Sequence, residues 1–158
     1  VCGSDTEVAG YMAELAGTGR YEVSDAVKAV IGKHFVGGYC SDEETKSAIN
    51  KVYTENGYLM DTHTAVAYNK LAAYRKDTGC VTPAVVVSTA SPYKFCNSVL
   101  QALGQESDAP GTELIEKLSE VTKTAIPKPL EGLDRREKRF ELVVDKPEMK
   151  ATVADFLK

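Results

Sequence analysis

Two short segments of the sequence carry side chains that could do chemistry together. The first, residues 88–95 (STASPYKF), follows an apolar run at 83–87. Within it, Thr89 has a hydroxyl that can donate or accept a hydrogen bond, and helix capping does not require it. Lys94 falls in the first turn of the helix predicted next, where the helix dipole favours anions. Lys94 therefore either meets an anion or extends its ammonium group into solvent.

The second segment, residues 61–64 (DTHT), places a carboxylate, an imidazole and two hydroxyls at the start of another predicted helix. This composition is compatible with a helix N-terminus whose amides are satisfied by side chains, and equally with a binding site. Ser91, His63 and Asp61 could in principle form a hydrolase triad. No Gly-x-Ser-x-Gly turn presents the serine, however, so the sequence disfavours that chemistry.

The rest of the chain predicts helices with short extended segments between them. Ser-x-x-Glu capping boxes begin at Ser4 and Ser41, and apolar residues recur behind them at helical spacing. The helix predicted from 62 to 77 is apolar on more than one face, which predicts cover from several sides. The apolar run at 83–87 lacks polar alternation and is typical of a central parallel strand. Short strands or extended segments are predicted at residues 21–23, 35–39, 58–60 and 140–144, and the glycines of 35–39 are also compatible with a tight passage of the chain.

The predicted fold class is therefore α/β, with helices flanking a small, mostly parallel sheet. In open parallel sheets, ligands bind where strands end and helices begin, because backbone donors and the positive helix end converge there. Residues 88–94 occupy that place, and Ser91 followed by Pro92 predicts the start of the next helix. The candidate site is expected at this edge of the sheet.

The overall composition argues against several classes of function. The chain has 158 residues and a net charge of −4, which gives no support for a nucleic-acid or anionic-membrane surface. No apolar run reaches the roughly 18 residues of a membrane span. Basic residues cluster at 135–139, but Glu137 interrupts them, so a solvated face is the preferred interpretation.

The cysteines indicate a reducing compartment. Cys2, Cys40, Cys80 and Cys96 form no Cys-x-x-Cys pair, and no histidine spacing completes a zinc site. Reduced thiols are therefore expected in place of disulfides, and no metal site is expected. A cytoplasmic location follows from that expectation.

The two chemical segments resemble those of threonine synthases, which are pyridoxal phosphate (PLP) enzymes of the tryptophan-synthase-β fold type, also called fold type II. Members of that family carry "PHTAVAY" or "NHTGVAL", matched here by DTHTAVAY at 61–68. Roughly twenty residues later they carry "STAHPAKF" or a similar segment, matched by STASPYKF at 88–95. Gly37-Gly38 before a Ser-Asp-Glu-Glu helix, and IPKPL at 126–130, extend the similarity over most of the chain.

The resemblance implies that residues 1–158 are the C-terminal fragment of a longer enzyme. It implies a sheet-and-helix core at 1–104 that contributes to the cofactor domain, and a C-terminal helical extension at 105–158. The family's cofactor-anchoring Schiff-base lysine and its phosphate-binding loop lie upstream of the matched part. No catalytic residue is therefore expected in this chain, covalently bound PLP is not expected, and the isolated chain is expected to be inactive. Its expected partner is the N-terminal remainder of the same enzyme.

The resemblance also implies a reaction and residue roles. The family converts O-phospho-L-homoserine and water to L-threonine and phosphate. Thr89, with Ser88 beside it, would contact the pyridine nitrogen of PLP, and Lys94 would face the substrate phosphate. His63 would organise the site by hydrogen bonding, while Ser91 stands where the family commonly has histidine. Another fold type II PLP lyase, a non-catalytic phosphometabolite-binding module and a purely structural or interaction role remain alternatives.

Overall fold

The computed structural model describes residues 3–106, 109, 111–137 and 139–157. Some of the predictions concern residues outside these ranges: the reduced state of Cys2, part of the predicted C-terminal extension (Ser107, Asp108 and Pro110), and Lys138 of the basic cluster. The chain divides into two compact units, Val1–Ser41 and Asp42–Lys158.

The first unit contains the helices α1 (Asp5–Thr18) and α2 (Asp25–Gly32). The N-cap predicted at Ser4 is confirmed, since its hydroxyl accepts a hydrogen bond from the amide of Glu7 at 3.1 Å. Ser24 caps α2 in the same way, at 3.3 Å from the amide of Val27. α1 ends at Gly19, whose φ of 79° lies in the left-handed region that favours glycine. No residue of either helix is fully buried.

The second unit contains the remaining helices of the described chain. They are α3 (Asp42–Asn56), α4 (Thr62–Thr78), α5 (Cys96–Ala102), α6 (Glu113–Thr122) and α7 (Met149–Phe156). Short 3₁₀ turns lie at Pro92–Phe95, Lys128–Leu130, Leu133–Arg135 and Lys146–Glu148. No helix in the described ranges is long and apolar enough to cross a membrane.

The core of the second unit lies among α3, α4, α5 and α6. α3 packs against both α4 and α5, and α5 packs against α6. The largest completely buried apolar side chains are Ile49, Leu100, Leu118 and Val99. Hydrogen bonds also join the helices, because Asn50 Nδ2 donates to the carbonyl of Ala102 at 2.9 Å and the Tyr53 hydroxyl donates to the carbonyl of Thr122 at 3.2 Å. These contacts join α3 to the C-terminal ends of α5 and α6.

The predicted α/β fold class is wrong for this chain. Across the described ranges the regular structure is helical, and no residue pairs in a strand. The residues predicted as strands at 21–23, 35–39, 58–60, 83–87 and 140–144 are irregular. The physical reason is that β-branched composition favours an extended backbone, whereas a strand also needs a neighbour to share its hydrogen bonds. Residues 83–87 find no such neighbour within the described chain.

The apolar run at 83–87 is consequently half open to solvent. Val85 is 89% exposed and Val87 is 67% exposed, whereas Val86 between them is partly covered. The predicted cover on several sides of α4 is also wrong, since of its residues only Thr64 and Ala65 are fully buried.

A second open apolar surface lies near the end of the chain, where Phe140 and Phe156 meet edge to face at 6.4 Å beside a cavity of about 330 Å³.

Candidate functional site

The two segments singled out by the sequence meet in the folded chain. The hydroxyl oxygens of Thr64 and Ser88 lie 3.2 Å apart, within hydrogen-bond distance across 24 positions of sequence. The rings of His63 and Phe95 also touch, with centroids 5.0 Å apart and planes inclined at 49°. The start of α4 and the segment at 88–95 therefore form a single locus.

Asp61 organises the α4 side of this locus. It is the N-cap residue, with an extended backbone (φ −75°, ψ 167°), and only 1% of it is exposed. Its Oδ1 accepts hydrogen bonds from the amides of His63 at 2.9 Å and Thr64 at 3.3 Å. Its Oδ2 accepts a hydrogen bond from the Thr64 hydroxyl. The interpretation of DTHT as a helix N-terminus satisfied by side chains is thus confirmed.

The imidazole of His63 projects from this helix start into solvent. Its side chain is 64% exposed, and Nδ1 lies 3.5 Å from both Asp61 Oδ1 and Thr62 Oγ1. Those separations are at the outer limit of hydrogen bonding, so the ring contact with Phe95 is its firmer restraint. His63 can therefore reach a ligand at the surface of the locus.

Ser91 begins the next element, as predicted. Its hydroxyl accepts a hydrogen bond from the amide of Tyr93 at 3.3 Å, with Pro92 at the first position of the turn. The turn is a 3₁₀ turn that runs directly into α5. No hydrogen bond joins Ser91 to His63 in the described part of the chain, which gives the hydrolase alternative no support. The buried Tyr93 anchors the turn by donating its hydroxyl proton to the carbonyl of Thr124 at 2.8 Å.

Lys94 and Phe95 complete the opposite side of the locus. Lys94 is exposed, and its Nζ lies 5.6 Å from the centroid of the Phe95 ring. Among the described residues, no carboxylate lies within ion-pair distance of Lys94 Nζ. Phe95 thus contacts both the imidazole of His63 and the ammonium of Lys94. The sequence analysis did not single out Phe95, because its contact with His63 depends on how α4 packs beside this segment.

Ser88 and Thr89 differ in what they face. Both are exposed, but Ser88 is hydrogen-bonded to Thr64 of α4. Val85 and Val87 are strongly exposed, whereas Val86 and Ala90 are partly covered. Thr89 is exposed in the same segment as these valines. A neutral hydroxyl is therefore available there for a ligand.

These side chains fit a cofactor ring and an anionic substrate better than they fit a metal. Thr89 offers a neutral donor and acceptor, Lys94 a cation and His63 an imidazole. The described residues contain no group of three His, Cys, Asp or Glu side chains that could hold a metal ion. The donors instead match the ring nitrogen of PLP and a phosphate group.

Two solved structures of threonine synthases align with this chain. The yeast enzyme aligns with a TM-score of 0.70 and 26% identity over 96% of this chain and 29% of its own. A PLP-bound threonine synthase from Brucella melitensis aligns with a TM-score of 0.53 and 28% identity over 77% of this chain and 24% of its own. Both structures are much longer than this chain.

The sequence comparison gives the family. The family model "Threonine synthase, C-terminal" matches residues 64–154. Mouse threonine synthase-like 1 is 36% identical over 110 residues, which cover 69% of this chain and 14% of that protein. Threonine synthase of Saccharomyces cerevisiae is 34% identical over 97 residues, covering 57% of this chain and 18% of that protein. The chain belongs to the threonine synthase family and spans less than a fifth of these two relatives, so the resemblance seen in the sequence is confirmed.

Proposed function

We propose that this chain is the C-terminal part of a PLP-dependent threonine synthase, which converts O-phospho-L-homoserine and water to L-threonine and phosphate. The observation that carries the proposal is the junction of the two family segments through Thr64 and Ser88, with Thr89 on the open side. A PLP-bound family member gives the cofactor its support. When bound, PLP supplies the electron sink for the reaction.

Thr89 is the residue proposed to contact the pyridine nitrogen of PLP, with Ser88 supporting it. A hydroxyl is neutral, so unlike a carboxylate it does not hold that nitrogen protonated. The cofactor ring is then a milder electron sink, which suits chemistry at the β- and γ-carbons of the substrate. The exposure of Thr89 supports this role, because the ring has to approach from outside the described chain.

Lys94 and His63 are proposed to serve the substrate. The ammonium of Lys94 is exposed, lies over Phe95 and is available to the substrate phosphate by a charge-assisted hydrogen bond. His63, whose ring also contacts Phe95, would orient the substrate by hydrogen bonding. Phe95 would thus restrain both the Lys94 ammonium that binds the phosphate and the imidazole of His63.

The rest of the active site is proposed to come from the N-terminal remainder of the same enzyme. The cofactor-anchoring lysine is expected there, so this chain alone is expected to be inactive. The outward valines support this arrangement, because Val85 and Val87 expose apolar surface beside Thr89. Burying apolar surface contributes roughly 25 cal/mol per Å², so contact with the remainder of the enzyme would stabilise this side of the locus.

The test compares full-length protein, the Thr89→Val variant and a matched control, Thr54→Val, on the exposed surface of α3. Loss of one hydrogen bond to the cofactor is expected to lower kcat by about tenfold and to shift the absorption maximum of bound PLP. The control should leave both unchanged. Phosphate release from O-phosphohomoserine and a visible spectrum are the measurements.

Two results would contradict the proposal. One is wild-type kcat and an unshifted spectrum for Thr89→Val. The other is phosphate release by the 158-residue chain alone. Turnover by the full-length protein of other amino-acid substrates, but not of O-phosphohomoserine, would instead assign it to a different fold type II PLP lyase.

A second candidate, a non-catalytic module that binds phosphometabolites, is favoured by the exposed ammonium of Lys94, which forms no ion pair with the described carboxylates. It predicts that the 158-residue chain binds inorganic phosphate by itself. NMR titration should then show saturable shifts near Lys94 that disappear in Lys94→Ala, persist in Thr89→Val and persist in the matched surface control Lys51→Ala. Shifts of the same size in Lys94→Ala would exclude this candidate.

A further inference from the structure

The carboxylate of Asp61 does more than helix capping requires. A cap needs one acceptor oxygen, and Oδ1 alone accepts the amide hydrogen bonds from His63 and Thr64. Oδ2 is left for the Thr64 hydroxyl. The Asp61 side chain is fully buried, and burying a charge is costlier than burying the neutral side chain of serine or asparagine. Its second oxygen therefore points to a further role.

The Thr64 hydroxyl links two side chains. It donates to Asp61 Oδ2, and at 3.2 Å it is also in position to donate to the hydroxyl oxygen of Ser88. A threonine hydroxyl has one proton, so the two acceptor oxygens compete for it. Thr64 thus connects the buried carboxylate of Asp61 to Ser88.

The position of Ser88 bears on its neighbour. Val86 and Ala90 are partly covered, whereas residues 87–89 are exposed, with Ser88 hydrogen-bonded to Thr64. Thr89 follows Ser88 directly, so a hydrogen bond that holds Ser88 against α4 also restricts where the Thr89 hydroxyl can lie. No sheet restrains residues 83–90 in the described chain. The contact between the Ser88 and Thr64 hydroxyls links these residues to α4.

We propose that Asp61 is a positioning residue, which acts through Thr64 and Ser88 to hold the Thr89 hydroxyl where the cofactor ring meets it. The expected effect of Asp61 on catalysis rests on the proposed PLP-dependent function. Its expected effect on the conformation of residues 88–90 in the 158-residue chain does not depend on that function.

The decisive variant is Asp61→Asn. Asparagine keeps one oxygen for the amides of His63 and Thr64, so the cap is retained. Its amide group donates where Oδ2 accepted, so the Thr64 hydroxyl loses one of its two acceptors and its proton is left to Ser88 alone. The matched control is Asp145→Asn, which changes an N-cap aspartate of the 3₁₀ turn before α7.

Two measurements are made on each variant. In the 158-residue chain, NMR should show shifted amide signals at 88–90 for Asp61→Asn, with those of His63 and Thr64 still typical of a cap. In the full-length holoenzyme, kcat should fall about tenfold with KM changed less than twofold, and the PLP absorption maximum should shift as in Thr89→Val. Combining the Asp61 and Thr89 variants should add less than a further twofold, because both act on one contact. Asp145→Asn should change neither measurement.

Thr64 provides a second pair of variants if Asp61→Asn does not fold. Thr64→Val removes the intermediate hydroxyl and should reproduce the effects on residues 88–90 and on kcat, whereas Thr64→Ser keeps the hydroxyl and should restore both. Unchanged signals at 88–90 in Asp61→Asn or Thr64→Val would overturn the inference. A wild-type enzyme without threonine synthase activity would overturn the proposed function alone, since the NMR result would still stand.

Discussion

At the scale of single residues, the thiols of the described cysteines differ in their surroundings. Cys40, Cys80 and Cys96 are all free. The pKa of Cys80 is lowered, chiefly by hydrogen bonding to Thr82, and Arg75 nearby adds a smaller effect in the same direction. Burial raises the pKa of Cys96, which lies in the core at the start of α5.

This difference predicts selective alkylation of Cys80. The thiolate is the reactive form, so a lowered pKa makes Cys80 react at lower pH than an ordinary cysteine, while Cys96 stays protonated and covered. With iodoacetamide at neutral pH, Cys80 is expected to be modified at least about tenfold faster than Cys96. Peptide mapping by mass spectrometry measures both rates, and Cys80→Ser should abolish the fast phase. Equal rates in the native protein would contradict the assignment.

At the scale of elements, the helices of the second unit and the segment at 83–90 differ in what holds them. α3, α5 and α6 share a core in which Leu118 has no exposed surface. The segment at 83–90 instead rests on the contact between Ser88 and Thr64, with Val85 almost fully exposed. Stability should therefore come from the helices, whereas the segment carries the proposed ligand contacts.

The contrast is tested by two truncations to alanine. Leu118→Ala leaves a cavity in the core and is expected to lower the free energy of unfolding by about 2–5 kcal/mol. Val85→Ala removes methyl groups that are already in water and should change it by less than about 0.5 kcal/mol. Urea unfolding of the 158-residue chain gives both values, with an unchanged m-value as the check on comparable folded states. A larger effect from Val85→Ala would mean that this segment is covered in solution.

Much of the candidate site was predictable at this scale, and part was not. The N-cap roles of Ser91 and of the DTHT segment depend on side chains and amides a few residues apart, so local sequence indicates them. The contact between Thr64 and Ser88, the burial of Asp61 and the position of Phe95 between His63 and Lys94 depend on how α4 packs beside the later segment. Local sequence does not contain that packing.

At the scale of the whole molecule, the chain leaves apolar surface open in separate places. Val85 and Val87 lie beside the candidate site, and Phe140 and Phe156 flank the cavity near the C-terminal helix. Exposed apolar patches of this kind commonly mark interaction surfaces. The chain covers 29% of the yeast threonine synthase structure, so the remainder of a longer enzyme is the proposed cover for the surface beside Thr89.

The sequence by itself determined the family, the helix starts and the residues with chemical potential, because these depend on short segments such as DTHTAVAY and STASPYKF. Only the tertiary structure decided that residues 83–87 form no strand, that Asp61 is buried and that Thr89 faces outward. The physical reason is that hydrogen-bonded strands and buried charges both require partners distant in sequence. The composition of a segment favours a conformation, and the partners available in the folded chain decide whether the segment adopts it.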